Sequence, residues 1–334
     1  MCGWKELEKE VDVGVLTVHT PQTTKDLFNG TVPKWGSNEV FFVNVNHIVQ
    51  NGKPRVVWNM VELNKYGKAK HYKCYPVQEL QHRMETNHFF GALDFKRYYH
   101  SMELHPISKR LCLVWVGNKE WTANAFNVRV GTPVVLQAET VVFGMRDAPR
   151  LMTKLLRPID ILLQQRADCQ LVRIMDDIVF MFKTIKQQLE GIKIVFPMLM
   201  DLGLLISWKK CQFRPNHVVK FYGLIWDSRL YAIFIPREKI LRMQEQCKKL
   251  VKMKAATASA VASIAGKILS VAVALYPARL WLQNFRRFIN KTVKEVGWYK
   301  PVLIPAAVKE EARVWPEKLI KFNGLSVQPP PISH

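Results

Sequence analysis

Leu171-Val172-Arg173-Ile174-Met175-Asp176-Asp177-Ile178-Val179-Phe180-Met181-Phe182 decides the reading of this chain. Two apolar runs of strand length and composition flank an aspartate pair, which predicts a tight hairpin with Asp176 and Asp177 at its tip. Two ionised carboxylates side by side repel one another unless a cation or strong hydrogen-bond donors neutralise them, and a divalent metal is the simplest remedy. A third carboxylate, Asp94, lies near the end of another short apolar run, Phe89-Phe90-Gly91-Ala92-Leu93-Asp94-Phe95. Strand-end carboxylates from distant segments can meet at one edge of a sheet. Three of them around hard cations are what two-metal phosphoryl transfer needs. Taken alone, the same residues also fit a turn dipeptide and a helix cap.

Working outward, Leu151 to Leu163 and Ile185 to Leu202 carry apolar residues at helical spacing, so two amphipathic helices frame the hairpin. Pro158 and Pro197 fall inside these patterns and are expected to kink or interrupt them. A hairpin framed by such helices fits an α+β domain, an antiparallel sheet with helices on one face. Strand-like segments are expected around Val40 to Val45 and Arg55 to Met60, after about forty weakly patterned residues. From Pro236, Ile240, Met243, Cys247 and Leu250 form one helical face, and Lys239, Arg242, Lys248, Lys249 and Lys252 supply charge. That face suits a nucleic-acid backbone, or an ordinary solvated surface. Ala255 to Tyr276 is apolar but interrupted by Lys267, and reads as a packed core helix ending before Pro277.

A formal net charge of +22 over 334 residues, 49 Lys+Arg against 27 Asp+Glu, favours a polyanionic partner. Nucleic acid is the natural candidate; an anionic membrane or a ribosomal niche is the alternative. The six cysteines, at 2, 74, 112, 169, 211 and 247, show neither zinc-ligand spacing nor a disulfide framework. The charged N-terminus, with Lys5, Glu6, Glu8, Lys9 and Glu10, lacks the apolar core of a secretory signal. An intracellular protein, in cytoplasm or nucleus and without a membrane partner, is expected.

The order and content of the segments resemble the reverse transcriptases. Leu93-Asp94-Phe95-Lys96-Arg97-Tyr98-Tyr99 resembles that family's first palm motif and Phe143-Gly144-Met145-Arg146-Asp147-Ala148-Pro149 its second. Met175-Asp176-Asp177 resembles the third, Leu202 to Phe213 the fourth, and Phe221-Tyr222-Gly223-Leu224-Ile225 the primer-grip hairpin. The resemblance runs from about Phe41 to Leu319, and the segments beyond the palm look most like the DIRS group of retrotransposons.

The resemblance implies a right-hand polymerase fold: fingers and an antiparallel-sheet palm over 39–235, a helical thumb over 236–295, and a connection over 296–334. An N-terminal extension, 1–38, precedes them. It implies that Asp94 and Asp176 bind two Mg²⁺ (or Mn²⁺) ions, with Asp177 completing the site. A primer 3′-hydroxyl would attack the α-phosphate of a dNTP, and Lys210 would protonate the departing pyrophosphate, with Lys209 one position away. Lys53 and Arg55, in the loop Asn51-Gly52-Lys53-Pro54-Arg55, resemble the cations that clasp the triphosphate. Phe95, Tyr99, Phe143 and Gly144 match nucleotide-facing positions, Tyr99 as the gate against a 2′-hydroxyl. Tyr222, Gly223 and Leu224 would hold the primer of an RNA or DNA primer-template. Each of these aromatic and glycine residues could equally be ordinary core or turn.

The chain departs from the family at Val141-Val142, at Ile174, at Arg97, and in a long stretch from Trp121 to Val142 with a turn at Gly131-Thr132-Pro133. Trp315 to Gly324 resembles the segment preceding a ribonuclease H domain in such elements. No acidic cluster follows, so this polypeptide is expected not to degrade the RNA of a hybrid by itself, and further polyprotein domains are possible partners. The expectation is an RNA-directed DNA polymerase of a retroelement. The alternatives are an RNA-dependent RNA polymerase and a decayed element that only binds nucleic acid.

Overall fold

The two apolar runs fold as the expected hairpin, Gln170–Ile174 antiparallel to Asp177–Phe182, with Ile174 opposite Asp177. The computed structural model describes residues 7, 9–19, 44–50, 53–67, 70–72, 75–117, 129–130, 134–275 and 277–326. The chain divides into two compact units: 75–94, 162–196 and 207–334 form one, and 1–74, 95–161 and 197–206 form the other.

The first unit contains the aspartates. Its sheet is antiparallel, in the order Gln170–Ile174, Asp177–Phe182, Phe89–Asp94, Gln212–Asn216. Val172, Ile174, Val179 and Met181 enter one hydrophobic core, so alternate side chains of each strand face it. Phe180 and Phe182 are also fully buried, each contributing roughly 1.5–3 kcal/mol by leaving water. The helix Ile185–Asp201 adds the buried amide of Gln188, which donates to the carbonyls of Phe90 (3.0 Å) and Phe213 (3.3 Å). A second antiparallel sheet runs Val218–Phe221, Leu224–Asp227, Ala232–Phe234, Leu325–Ser326. Helices Arg237–Lys252, Ala258–Leu269, Gln283–Val296 and Ala306–Lys321 complete the unit. The face anticipated for the first of these, Ile240, Met243, Cys247 and Leu250, is the buried one. Glu311 lies buried on the last helix and accepts from the N–H groups of Asn284 (2.8 Å) and Phe285 (3.1 Å), which are otherwise unpaired at the start of helix Gln283–Val296.

The second unit holds a three-stranded antiparallel sheet, Leu16–His19, Val134–Ala138, Leu113–Gly117, and the hairpin Asn44–Gln50 with Lys53–Asn59. Leu7, Leu16, Trp58, Met60, Val114, Leu136 and Val142 are among its core.

Several expectations are corrected. Pro158 and Pro197 sit inside unbroken helices, Ala148–Arg166 and Ile185–Asp201. Each proline forfeits one backbone hydrogen bond, but burial of Leu156 and Leu163 on one helix and of Val195 and Leu199 on the other outweighs that loss. The apolar stretch Ala255 to Tyr276 is not one helix. Ala255-Ala256 pairs with Val302-Leu303, Thr257 caps a helix that ends at Leu269, and turns follow. Within the segment expected as an N-terminal extension, Leu7, Val15 and Leu16 lie in the core of the second unit. Of the strand expected at Val40 to Val45, residues 40–43 lie outside the described residues and Asn44 opens the described strand Asn44–Gln50; Lys53, Pro54 and Arg55 belong to a strand instead of a loop, opposite Gln50, Val49 and Ile48. Gly52, most of 121–133 including the expected turn at Gly131-Thr132-Pro133, and the C-terminal prolines lie outside the described residues. No described helix is long and apolar enough to cross a membrane.

Candidate active site

Asp94 ends its strand and Asp177 begins the neighbouring one, and the antiparallel register sets them directly opposite each other. Asp176 shares the two-residue turn with Met175, whose φ of 58° is left-handed. A positive φ at the first turn position alone is the II′ pattern, and a side chain there costs roughly 1–3 kcal/mol. Burial, then the charges of Asp176 and Asp94, push the Asp177 carboxyl up to about 6; Lys210 opposes the rise, and a hydrogen bond with Asp94 favours the protonated form.

Lys210 Nζ lies 2.8 and 2.9 Å from the two Asp94 carboxylate oxygens. Its position follows from the backbone: Ser207 N donates to Asp94 O (2.9 Å), and Lys210 N closes a 3-10 turn on Ser207 O (2.8 Å). Of the two adjacent lysines, both exposed, Lys210 is therefore the one that reaches the Asp94 carboxylate. Among the described residues, no three His, Cys, Asp or Glu side chains are drawn together as a ready ligand set. The donor chemistry fits a hard divalent ion all the same. Burial, then the neighbouring carboxylates, raise Asp177, and Asp94 is paired with the ammonium of Lys210. Asp94, Asp176 and Asp177 are the residues that could hold such an ion.

A cleft of about 220 Å³ leads from Asp94 and Asp177, past Lys210 and Lys220, to Tyr222 and Gly223. Tyr222 (φ 50°) and Gly223 (φ 70°) form the whole loop between Phe221 and Leu224. Left-handed values at both positions are the I′ signature of a two-residue hairpin. Tyr222 is exposed, whereas Leu224 is wholly buried, so its side chain anchors the hairpin.

The second unit gathers the other aromatic candidates. Tyr99 packs edge-on against Phe143 with centroids 4.9 Å apart, and Phe143 is exposed. Tyr98 is core, which separates it from the partly exposed Tyr99. Phe95 is buried, its ring stacked 5.9 Å from that of Tyr98, so its side chain supports this surface and does not line it. Gly144 has φ 103°, and a Cβ there would meet Trp58 O at 2.5 Å, which excludes any side chain. Asn64 clamps this loop, donating to Gly144 O (2.9 Å) and accepting from Arg146 N (3.0 Å). Sequence reasoning missed Asn64 because its partners lie about eighty positions away. His100 packs on the same Phe143 ring, and burial, then Arg97, pushes its imidazole down to about 4, so it is neutral at physiological pH.

The sequence pattern of the family described as Reverse transcriptase (RNA-dependent DNA polymerase) matches residues 44–226. The chain is 26% identical over 174 residues to the Transposon Tf2-3 polyprotein of Schizosaccharomyces pombe, an alignment covering 52% of this chain and 12% of that protein. It is likewise 26% identical over 179 residues to the Retrovirus-related Pol polyprotein from transposon 297 of Drosophila melanogaster, covering 52% of this chain and 14% of that one. The chain thus spans a small fraction of the length of these curated relatives. In fold it is similar to the foamy viral protease-reverse transcriptase in complex with dsDNA, with a TM-score of 0.70 and 14% identity over 99% of this chain and 58% of that one. The same viral protein in complex with an RNA/DNA hybrid gives a TM-score of 0.69 and 14% identity, covering 96% of this chain and 36% of that one.

Proposed function

Because the chain belongs to the reverse transcriptase family, whose pattern spans more than half of it, we propose that it carries out template-directed DNA synthesis for a retroelement. The observation that carries this reading is the opposition of Asp94 and Asp177 at the foot of a cleft that ends in the Tyr222-Gly223 turn. In the reaction, the primer 3′-hydroxyl gives up its proton to solvent and its oxygen bonds to the α-phosphorus of a dNTP, the bond to the bridging oxygen breaks, and pyrophosphate leaves with a proton from Lys210, which solvent then restores. Two Mg²⁺ or Mn²⁺ ions held by Asp94, Asp176 and Asp177 would supply the charge that stabilises the attacking and leaving oxygens. Until then Lys210 is paired with the Asp94 carboxylate.

The Tyr222-Gly223 turn, anchored by Leu224, holds the primer end of an RNA or DNA primer-template. Tyr99 bears on the sugar and selects deoxynucleotides, Phe143 and Gly144 face the base, and Lys53 and Arg55 bind the triphosphate. In this reading residues 39–235 are fingers and palm, 236–295 thumb, and 296–334 a connection to further polyprotein domains such as ribonuclease H. The segments beyond the palm support an origin nearest the DIRS group. The thiols of Cys112, Cys169, Cys211 and Cys247 are unpaired, which supports an intracellular setting.

The test is primer extension on an oligo-primed RNA template with dNTPs and magnesium. Asp94→Asn and Asp176→Asn should each lower the rate about a thousandfold or more, and Tyr99→Val should admit rNTPs that the parent rejects. Extension that persists in both aspartate variants, or a folded parent that prefers rNTPs, would overturn the proposal.

A further inference from the structure

Helix Arg237–Lys252 begins beside the Tyr222-Gly223 turn, where Lys239 meets Gly223, and rises about 20 Å before it ends. At that far end stand the two most exposed large hydrophobic side chains among the described residues, Tyr299 (82%) and Leu303 (79%), with Trp298 and Met253 also exposed. The local fold explains the display. Gly297, at φ 86°, closes helix Gln283–Val296 by donating to Thr292 O (3.1 Å) and Val293 O (3.2 Å), which turns the chain away from the helix. Ser259 N then holds Trp298 O at 3.1 Å, and Ile304 N holds Lys254 O at 3.1 Å. Leu303 lies opposite Ala255 on the outer face of the two-stranded sheet, between half-buried Val302 and buried Ile304. The surrounding charge is one-sided. From Gln246 to Val308 the chain carries eleven Lys and Arg against a single acid, Glu295. The acids closest in sequence, Glu245 and Glu295, face Lys249 (2.8 Å) and Lys291 (4.0 Å). Lys252, Lys254, Lys294 and Lys300 flank the apolar residues in sequence and are exposed. Uncovered rings amid such cations suit a ligand that is anionic and offers flat apolar faces. Unpaired bases stack on such rings while their phosphates meet the ammonium groups, whereas a duplex offers phosphates and hides its base faces.

We infer that Trp298 and Tyr299, with Lys254 and Lys300, form a second nucleic-acid site, remote from the cleft, that takes an unpaired stretch of template RNA by base stacking. The identity of the strand rests on the proposed polymerase reading: RNA is the strand such a reaction meets unpaired, and its DNA product leaves in a duplex. The test is fluorescence anisotropy of the whole chain with a labelled oligouridylate of about twelve nucleotides, beside a blunt RNA/DNA duplex of the same length. Tyr299→Leu keeps apolar bulk and removes the ring; it should weaken oligouridylate binding about tenfold and duplex binding by less than about twofold. Tyr299→Phe, which keeps the ring, should bind as the parent does. Lys254→Gln and Lys300→Gln should each lower the slope of log affinity against log salt by about 0.7 on oligouridylate. Because Tyr299 is exposed, its replacement leaves the core intact.

Equal losses on the single strand and the duplex would make the patch a general phosphate contact and overturn the inference. So would a Tyr299→Leu variant that binds oligouridylate as well as its parent, or a patch that takes phosphatidylserine vesicles and not oligouridylate. Primer extension by the same preparation separates the two readings. A parent that extends primers but binds oligouridylate independently of Tyr299 refutes this inference alone. A parent that stacks RNA through Tyr299 yet extends no primer keeps the binding site and refutes the polymerase reading, and with it the naming of that RNA as a template.

Discussion

The hairpin Gln170–Phe182 turns through Met175-Asp176, and the hairpin Val218–Asp227 turns through Tyr222-Gly223; each loop is two residues long and each hairpin lines the same cleft. The first sets a bulky residue at its one left-handed position and crowds carboxylates beside it. The second answers the twist of its strands with two left-handed residues, one of them glycine, and meets a lysine where a side chain would stand. Unfavourable charge is thus concentrated in the hairpin proposed to carry the chemistry. The neighbouring hairpin likewise sets a bulky residue, Tyr222, at a left-handed φ, but it is anchored by the buried Leu224. Substitution should accordingly harm the second hairpin and relieve the first.

The largest expected effect is on the second hairpin. Gly223→Val places a β-branched residue at φ 70°, and although the flexible Lys239 side chain can move aside, the backbone strain alone should cost about 2 kcal/mol in urea unfolding. An unchanged midpoint would show that the turn is less committed than its dihedrals imply.

Asp177→Asn should move stability the other way. The folded carboxyl is raised to about 6 from an ordinary 3.8, so the folded state takes up a proton more readily than the unfolded one. The stabilisation from that proton is complete below about pH 4 and is lost as pH rises through about 6. Without divalent metal, the asparagine variant should match the parent near pH 4 and exceed it by on the order of 1–2 kcal/mol at pH 7.5, a figure reduced for partial exposure. Millimolar Mg²⁺ should raise the melting temperature of the parent and leave the variant behind. A parent indifferent to metal in this assay would remove the charge argument for the first hairpin. The smallest effect is expected at Met175→Gly, which relieves the left-handed strain, gives back chain entropy, and should change stability by under about 1 kcal/mol in the stabilising direction.

Much of this contrast was legible in the sequence because its signals are local. The two apolar runs located the hairpin, although its turn is Met175-Asp176 and Asp177 opens the second strand, and the 3.6-residue period located the buried face Ile240, Met243, Cys247, Leu250. What escaped depends on distant partners. Asn64 is inconspicuous until the loop Gly144 to Arg146 folds onto it, and Lys210 is distinguished from Lys209 only by the 3-10 turn that Asp94 pins. Pro158 and Pro197 misled because local cost was weighed without the burial that repays it. Ala255 to Tyr276 read as one helix because apolar composition does not report Thr257 acting as a cap or Val302 arriving as a strand partner.

The central strand Phe89–Asp94 has a temporal consequence for synthesis on the ribosome. Both its sheet neighbours, Asp177–Phe182 and Gln212–Asn216, are made later. At ordinary elongation rates the first of them emerges some 90 residues afterwards, roughly 4 to 18 seconds on. During that interval Phe89, Phe90 and Leu93 have no sheet to enter, and the nascent chain presents an unpaired apolar segment to whatever is nearby. Asp94 meets Asp177 only when that wait ends, so translation pauses between residues 94 and 182 lengthen the period in which the chain is open to aggregation or chaperone capture.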